Sequence, residues 1–136
     1  NISKKIKLEL LKPTKIYTKE ILKLTKNNLI KSAAHITGGG LLENLSRSIP
    51  DDLSINIDLK KIKVLKIFKW IKKNNISENE MLSTFNCGVG FCIIINPKKL
   101  NKIKEYFANN FKPYVIGKIT KNFKEKVKLN GSVNWI

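Results

Sequence analysis

The spacing of apolar residues changes several times along the chain, and each change marks a candidate element. After Pro13 and Thr14, Ile21, Leu22, Leu24 and Leu29 recur at helical intervals, which predicts a helix from about Thr18 to Asn28. "IKSAAHIT" is short and apolar and reads as a buried strand or a tight approach from helix to loop. Gly38, Gly39 and Gly40 then form a turn, and "LLENLSRSI" reads as a helix ended by Pro50. In "DLSINIDL", Leu53, Ile55 and Ile57 alternate with polar neighbours, the period of a half-buried strand. "LKIFKWIKKNN" puts Ile67, Phe68 and Ile71 on one helical face, with Leu65 and Trp70 at its margins. Ser77 followed by Glu80 in "SENEMLSTF" is a capping-box pattern.

The second half reads the same way. "NCGVGFCIIIN" is the most strand-like segment, and "PKKLNKIKEYFANN" is an amphipathic helix opening on Pro97. "KPYVIGKI" and "KVKLNGSVNWI" read as closing strands, with Asn130-Gly131 as a hairpin turn. Residues 1–12 are basic and mixed, a linker or edge segment, and residues 13–136 form the domain. Helices and strands mix without a strict βαβ rhythm, so the expected class is α+β, with helices packed on a mixed β-sheet.

Composition narrows the picture. With 136 residues, 42% hydrophobic and 27% charged, the chain can bury one core. Its longest strongly apolar run, "FCIII", is far short of the ~20 residues of a membrane span. "NISKKIKLELLK" has neither the apolar region nor the cleavage site of a signal peptide. The first residue is Asn rather than Met, which is expected of a piece of a longer protein. Cys87 and Cys92 lie five apart in the strand-like stretch, on opposite faces, poorly placed to pair or share a metal. With a single histidine there is no zinc constellation, and the thiols fit a reducing, cytoplasmic protein.

The net charge of +17 points towards polyanions. Arg47 is the only arginine, however, and the lysines are spread from Lys4 to Lys128 among many Ile and Asn, as AT-rich codons would produce. Nucleic-acid readers favour arginine forks and interleaved aromatics. Non-specific polyanion affinity is therefore expected in vitro, and a basic nucleic-acid-binding module remains only an alternative function.

The best candidate for chemistry is the run from His35 to Gly40. A strand end, a glycine turn and a helix beginning near Leu41 would present backbone N–H groups to a phosphate, with Thr37 adding a hydroxyl and Asn44 one turn on. The spacing matches neither the P-loop nor the dinucleotide fingerprint. His35, beside Ala33, Ala34 and Ile36, reads from the residues alone as a half-buried packed side chain rather than a catalyst. Gly88 and Gly90 share one face of the expected strand, where another backbone or a ligand could come close. Glu43, Asp58, Glu78, Glu80 and Glu105 form no paired-carboxylate motif, so this piece is not expected to hold a magnesium-bound triphosphate by itself.

"LLKPTKIYTKEIL", "AHITGGGLLENL", "IFKWI", "EMLSTFNCGVGF" and "YVIGKI" follow one another in an order and spacing that resembles the C-terminal domain of the AIR synthetase (phosphoribosylformylglycinamidine cyclo-ligase) family, from about Leu10 to Ile119. The glycine turn is shared more loosely with FGAM synthetase, thiamine-monophosphate kinase, selenophosphate synthetase and a hydrogenase-maturation protein. "PTKIY" and "TFNCGVG" point to the cyclo-ligase. The resemblance implies ATP-dependent ring closure of formylglycinamidine ribonucleotide to aminoimidazole ribonucleotide, in purine synthesis. It implies a cleft shared with an N-terminal domain that supplies the homodimer interface and most of the groups for ATP and Mg2+.

On that resemblance Thr37, Gly38, Gly39, Gly40 and Asn44 bind phosphate, and His35 is the candidate catalytic residue. Asn86 and Gly88 line or support the cleft, Thr14, Lys15 and Tyr17 lie near the hinge, and no metal ligand is assigned. The family's "ENLPR" has become "ENLSR" with Ser46; its "DRSSW" is replaced by Asp58, Leu59, Lys60, Lys61 and Ile62; and a later proline is replaced by Leu65. These departures put local loop packing in doubt more than the chemistry. A small-molecule ATP-dependent phosphotransferase of the same superfamily is the other alternative.

Overall fold

The computed structural model describes residues 3–108, 111–121 and 124–136. The elements run α1 (Lys4–Leu10), α2 (Thr18–Lys26), β1 (Ser32–His35), α3 (Gly40–Ser46), β2 (Leu53–Asp58) and α4 (Lys66–Lys72), then α5 (Glu78–Thr84), β3 (Phe91–Ile94), α6 (Leu100–Lys104), β4 (Gly117–Lys121) and β5 (Val127–Asn130). β2 is the centre of a three-stranded sheet, antiparallel to β4 with Ile55 opposite Ile119, and parallel to β5 with Ile55 opposite Val127. β1 and β3 form a separate antiparallel pair, with Ser32 opposite Ile94 and His35 opposite Phe91. Helices packed on a mixed sheet make this an α+β fold, as expected.

The apolar pattern explains how the layers meet. Cys92 and Ile94 of β3 pack on the main core around Ile36, Leu41, Leu45, Ile55, Ile57 and Met81. The intervening Ile93, with Ile95, packs on a second cluster around Leu24, Leu29 and Ile103. Successive side chains on a strand point to opposite faces, so an unbroken apolar run marks a strand covered on both sides. α2 and α6 cover one face and α3 and α5 the other. Truncating a fully buried side chain such as Leu24, Met81 or Ile103 is expected to cost about 2–5 kcal/mol.

Several expectations need correction. Over their described part residues 1–12 carry a helix, α1, rather than an edge strand. Ser3 caps α1, its hydroxyl oxygen accepting from the Ile6 N–H at 3.4 Å. The helix was hidden because its leucines do not turn inward: Leu8 is 57% and Leu10 51% exposed. "NCGVG" is a turn rather than strand, since Cys87 has φ 50° and Val89 donates to the Asn86 carbonyl at 2.8 Å. Cys87 and Cys92 are therefore not two positions of one strand. Asn130-Gly131 makes no hairpin, because β5 ends there after pairing with β2. The helix expected from Pro97 opens with a 3-10 turn and becomes α6 only at Leu100; its expected last residues, Asn109 and Asn110, lie outside the described residues. Among the described residues, no helix is long and apolar enough to cross a membrane.

Candidate functional site

β1 leads straight into the glycine turn. Ile36, 1% exposed, anchors the approach, and its N–H donates to the Gly90 carbonyl at 3.0 Å. Beyond it the three glycines answer to three different demands. Gly40 has φ +58° and lies under α5, where a Cβ would sit 2.8 Å from the Leu82 carbonyl carbon and closer still to its oxygen. Gly39 has φ +88°, and a Cβ there would meet the Glu43 side chain, with Cδ at 2.7 Å. Gly38 has nothing within 4 Å of the place a Cβ would take. Only the last of these leaves open space beside the backbone.

Asn44 braces the turn from within α3. Its side-chain N–H2 donates to the Gly40 carbonyl at 2.7 Å and the Gly38 carbonyl at 3.1 Å, with the Thr37 carbonyl at 3.5 Å. Its oxygen accepts from Arg47 at 3.3 Å. Asn44 thus shapes the turn with the donors it would otherwise offer a ligand. The Glu43 carboxylate stands on the Gly39 side and pairs with Arg47 at 3.3 Å. An anion approaching the turn is accordingly better received on the Gly38 side, beside the exposed Thr37.

His35 is exposed, not half-buried as its apolar neighbours led one to expect. Its ring stacks on Phe91, with centroids 5.8 Å apart and planes at 28°, and meets Tyr17 edge-on at 6.1 Å. Tyr17 and Phe91 lie 5.1 Å apart. Tyr17 comes this close because residue 90 is glycine: a Cβ there would lie 3.2 Å from Tyr17 Cζ and nearer still to Oη. Burial, with a smaller contribution from Cys92, raises the Tyr17 phenol above its ordinary range, so it stays neutral. Lys15 lies with Nζ 3.8 Å from the Phe111 ring centroid and 3.5 Å from Glu20. Thr14 is exposed.

The segments "PTKIY", "AHIT" and "GVGF" therefore meet at one place. The residue that the sequence reading missed there is Phe91, whose role becomes visible only through the β1–β3 register.

Asn86 and Gly88 sit further back. The Asn86 side-chain oxygen accepts from the Gly88 N–H at 3.0 Å, and Gly88 packs against Lys63 and Leu65. They shape the turn that delivers Gly90 and Phe91. Gly88 also joins Tyr17, Phe91 and Phe111 in lining an apolar cavity of about 530 Å³. Among the described residues, no group of three or more His, Cys, Asp or Glu could hold a metal ion. The thiols are free, with Cys92 pushed up to about 12 by burial and Cys87 to about 11 by burial and then by Glu78. The sequence departures serve locally: Asp58 accepts from the Lys60 N–H at 3.1 Å, and Ser46 donates to the Glu43 carbonyl at 2.9 Å.

An α+β domain with a glycine-rich turn between strand and helix, faced by an aromatic-backed histidine, is the class these features define. Residues 1–130 match the family described as AIR synthase related protein, C-terminal domain. Over 125 residues the chain is 43% identical to a phosphoribosylformylglycinamidine cyclo-ligase from Streptococcus pneumoniae serotype 4 (strain TIGR4), covering 91% of this chain and 36% of the relative. The same figures hold for the proteins of that name from strains Hungary19A-6 and CGSP14. The chain belongs to the family of AIR synthase related C-terminal domains, and it spans about a third of the length of these curated relatives (36%).

Proposed function

We propose that this chain is the C-terminal domain of a phosphoribosylformylglycinamidine cyclo-ligase of purine biosynthesis. In this reading its glycine turn supports a phosphate of a bound ligand at a cleft shared with the rest of the enzyme. One observation carries the role of the turn. Gly39 and Gly40 answer to backbone conformation and packing, whereas Gly38 answers to neither and faces open space. Backbone without a side chain, bordering open space, is what close approach by a ligand needs.

ATP, when bound, supplies the phosphoryl group that activates the formyl oxygen of formylglycinamidine ribonucleotide. The residues here fit a supporting part in that chemistry. Gly38 offers close backbone, Thr37 a hydroxyl, and Lys15 a positive charge on the Tyr17 side. His35, exposed at the rim, can hold or donate a proton at an imidazole nitrogen. Among the described residues no three His, Cys, Asp or Glu gather to hold a metal ion, and it is the family resemblance that gives Mg2+ to the companion N-terminal domain. That domain would also form the homodimer, in the cytoplasm. The phosphotransferase alternative would share the turn, but the 43% identity to cyclo-ligases favours the first reading.

The test is coupled ADP release and aminoimidazole ribonucleotide formation from ATP and formylglycinamidine ribonucleotide, with this chain alone and with the companion domain joined to it. Turnover is expected only in the longer protein. No turnover there would overturn the cyclo-ligase reading. Turnover undiminished by Gly38→Val would overturn the role of the turn.

A further inference from the structure

Resting on the reading of the glycine turn as a ligand site, we propose that Phe91 and Tyr17 are positioning residues that set the plane of the His35 imidazole at its rim. His35 on β1 lies directly across from Phe91 on β3, and the next pair, Ile36 with Gly90, carries a backbone hydrogen bond. His35 and Phe91 are thus a non-hydrogen-bonded pair, the kind whose side chains stand closest in an antiparallel ladder. The near-parallel stack at 28° and 5.8 Å follows from that placement.

Tyr17 closes the arrangement from a second direction. It meets both rings, and it reaches them through the space left by the missing side chain of Gly90. Imidazoles that move protons are commonly oriented by a hydrogen bond to one ring nitrogen. Among the described residues, neither nitrogen of His35 has a hydrogen-bond partner in the chain, and its recorded contacts are aromatic. Face stacking fixes the ring plane while leaving both nitrogens at the open edge, free to meet a ligand. An exposed histidine without such backing would sample several rotamers, and a misplaced proton carrier loses rate steeply.

His35 is the only histidine of the chain, so its ring signals can be followed without assignment among others. The measurement is the 13C relaxation order parameter of the His35 ring in the 136-residue chain, with the amide spectrum as a check that each variant folds. The ring is expected to be ordered in the parent, to fall below about 0.6 in Phe91→Ala, and to recover in Phe91→Tyr. Phe91→Leu fills similar space without a flat ring and serves if the alanine variant fails to fold. An order parameter unchanged by loss of the Phe91 ring overturns the proposal.

A kinetic cycle in the longer enzyme supplies the second reading. Phe91→Ala should lower kcat by roughly tenfold or more with little change in KM, and should add nothing in the His35→Ala background. Losses that multiply instead would mean Phe91 acts apart from His35, which also overturns the proposal. If ring order falls in Phe91→Ala while His35→Ala keeps full turnover, positioning stands and the catalytic part given to His35 fails.

Discussion

The side-chain nitrogen of Asn44 donates to the carbonyl of Gly40 at 2.7 Å, closing the first turn of α3 back onto the glycine run. The same group reaches the Gly38 carbonyl, so one amide holds both ends of the turn. Asn44→Asp keeps the shape but replaces the donors with a carboxylate facing carbonyl oxygens. It should lower stability by about 1–3 kcal/mol, and Asn44→Ala by about 1 kcal/mol. Urea unfolding of the three proteins checks this; equal midpoints would show that the turn holds without the brace.

The glycines separate fold from function. Gly40→Ala adds a Cβ against the Leu82 carbonyl at a left-handed φ, and should cost about 2–5 kcal/mol. Gly38→Ala meets nothing and should change stability by less than about 0.5 kcal/mol. In the longer enzyme the order reverses in meaning: a Gly38→Ala protein of normal melting temperature should turn over more slowly. Normal turnover in that variant removes the reason for a glycine there. Gly39 is a poorer probe, because its φ of +88° would strain any other residue.

How much of this could be read from the chain depends on where side chains point. α2 and α5 were legible because each turns apolar residues inward and carries its signal in sequence, as in Ser77 accepting from the Glu80 N–H at 3.1 Å. α1 was not, because an exposed leucine such as Leu8, 57% accessible, contributes no inward stripe. The glycine turn was located correctly between strand and helix. What each glycine is for depends on Leu82, Glu43 and open space, which no local pattern encodes. The His35–Phe91 pairing needed the register of two strands far apart in sequence. The Asn130-Gly131 hairpin failed because β5 finds its partner in β2, a contact local turn chemistry cannot foresee.

The two cysteines should shape the alkaline limb of stability. Burial raises Cys87 from 9.0 to about 11 and Cys92 to about 12, so the folded chain keeps both thiols neutral. As pH rises past about 9, the unfolded chain loses these protons first and is favoured. The contribution is therefore complete below pH 9 and lost between about 9 and 12, by at most a few kcal/mol per thiol at about 1.4 kcal/mol for each pH unit of the rise, and by more for Cys92 than for Cys87. Lysines titrate in the same window, so the comparison is with a protein carrying Cys87→Ala and Cys92→Ala. The parent should lose stability more steeply with pH than that variant; parallel curves would mean the thiols reach solvent in the folded state.

Glu78 ties the C-terminal tail to α5. Its two oxygens accept from Trp135 Nε1 at 2.6 Å and from the Val133 N–H at 3.4 Å. The contact holds the chain beyond Gly131 against α5, where Val133 lies in the core at 5% exposure. Glu78→Ala removes a charged acceptor from two donors and should cost about 1.5–3 kcal/mol. Glu78→Gln retains one acceptor and should cost less. With Trp70→Phe as background, Trp135 is the remaining tryptophan, and its emission reports the tail directly. A red shift in Glu78→Ala at temperatures where the domain stays folded is the expected result. Emission identical to the parent would mean that packing alone, with Val133 as its anchor, holds the tail in place.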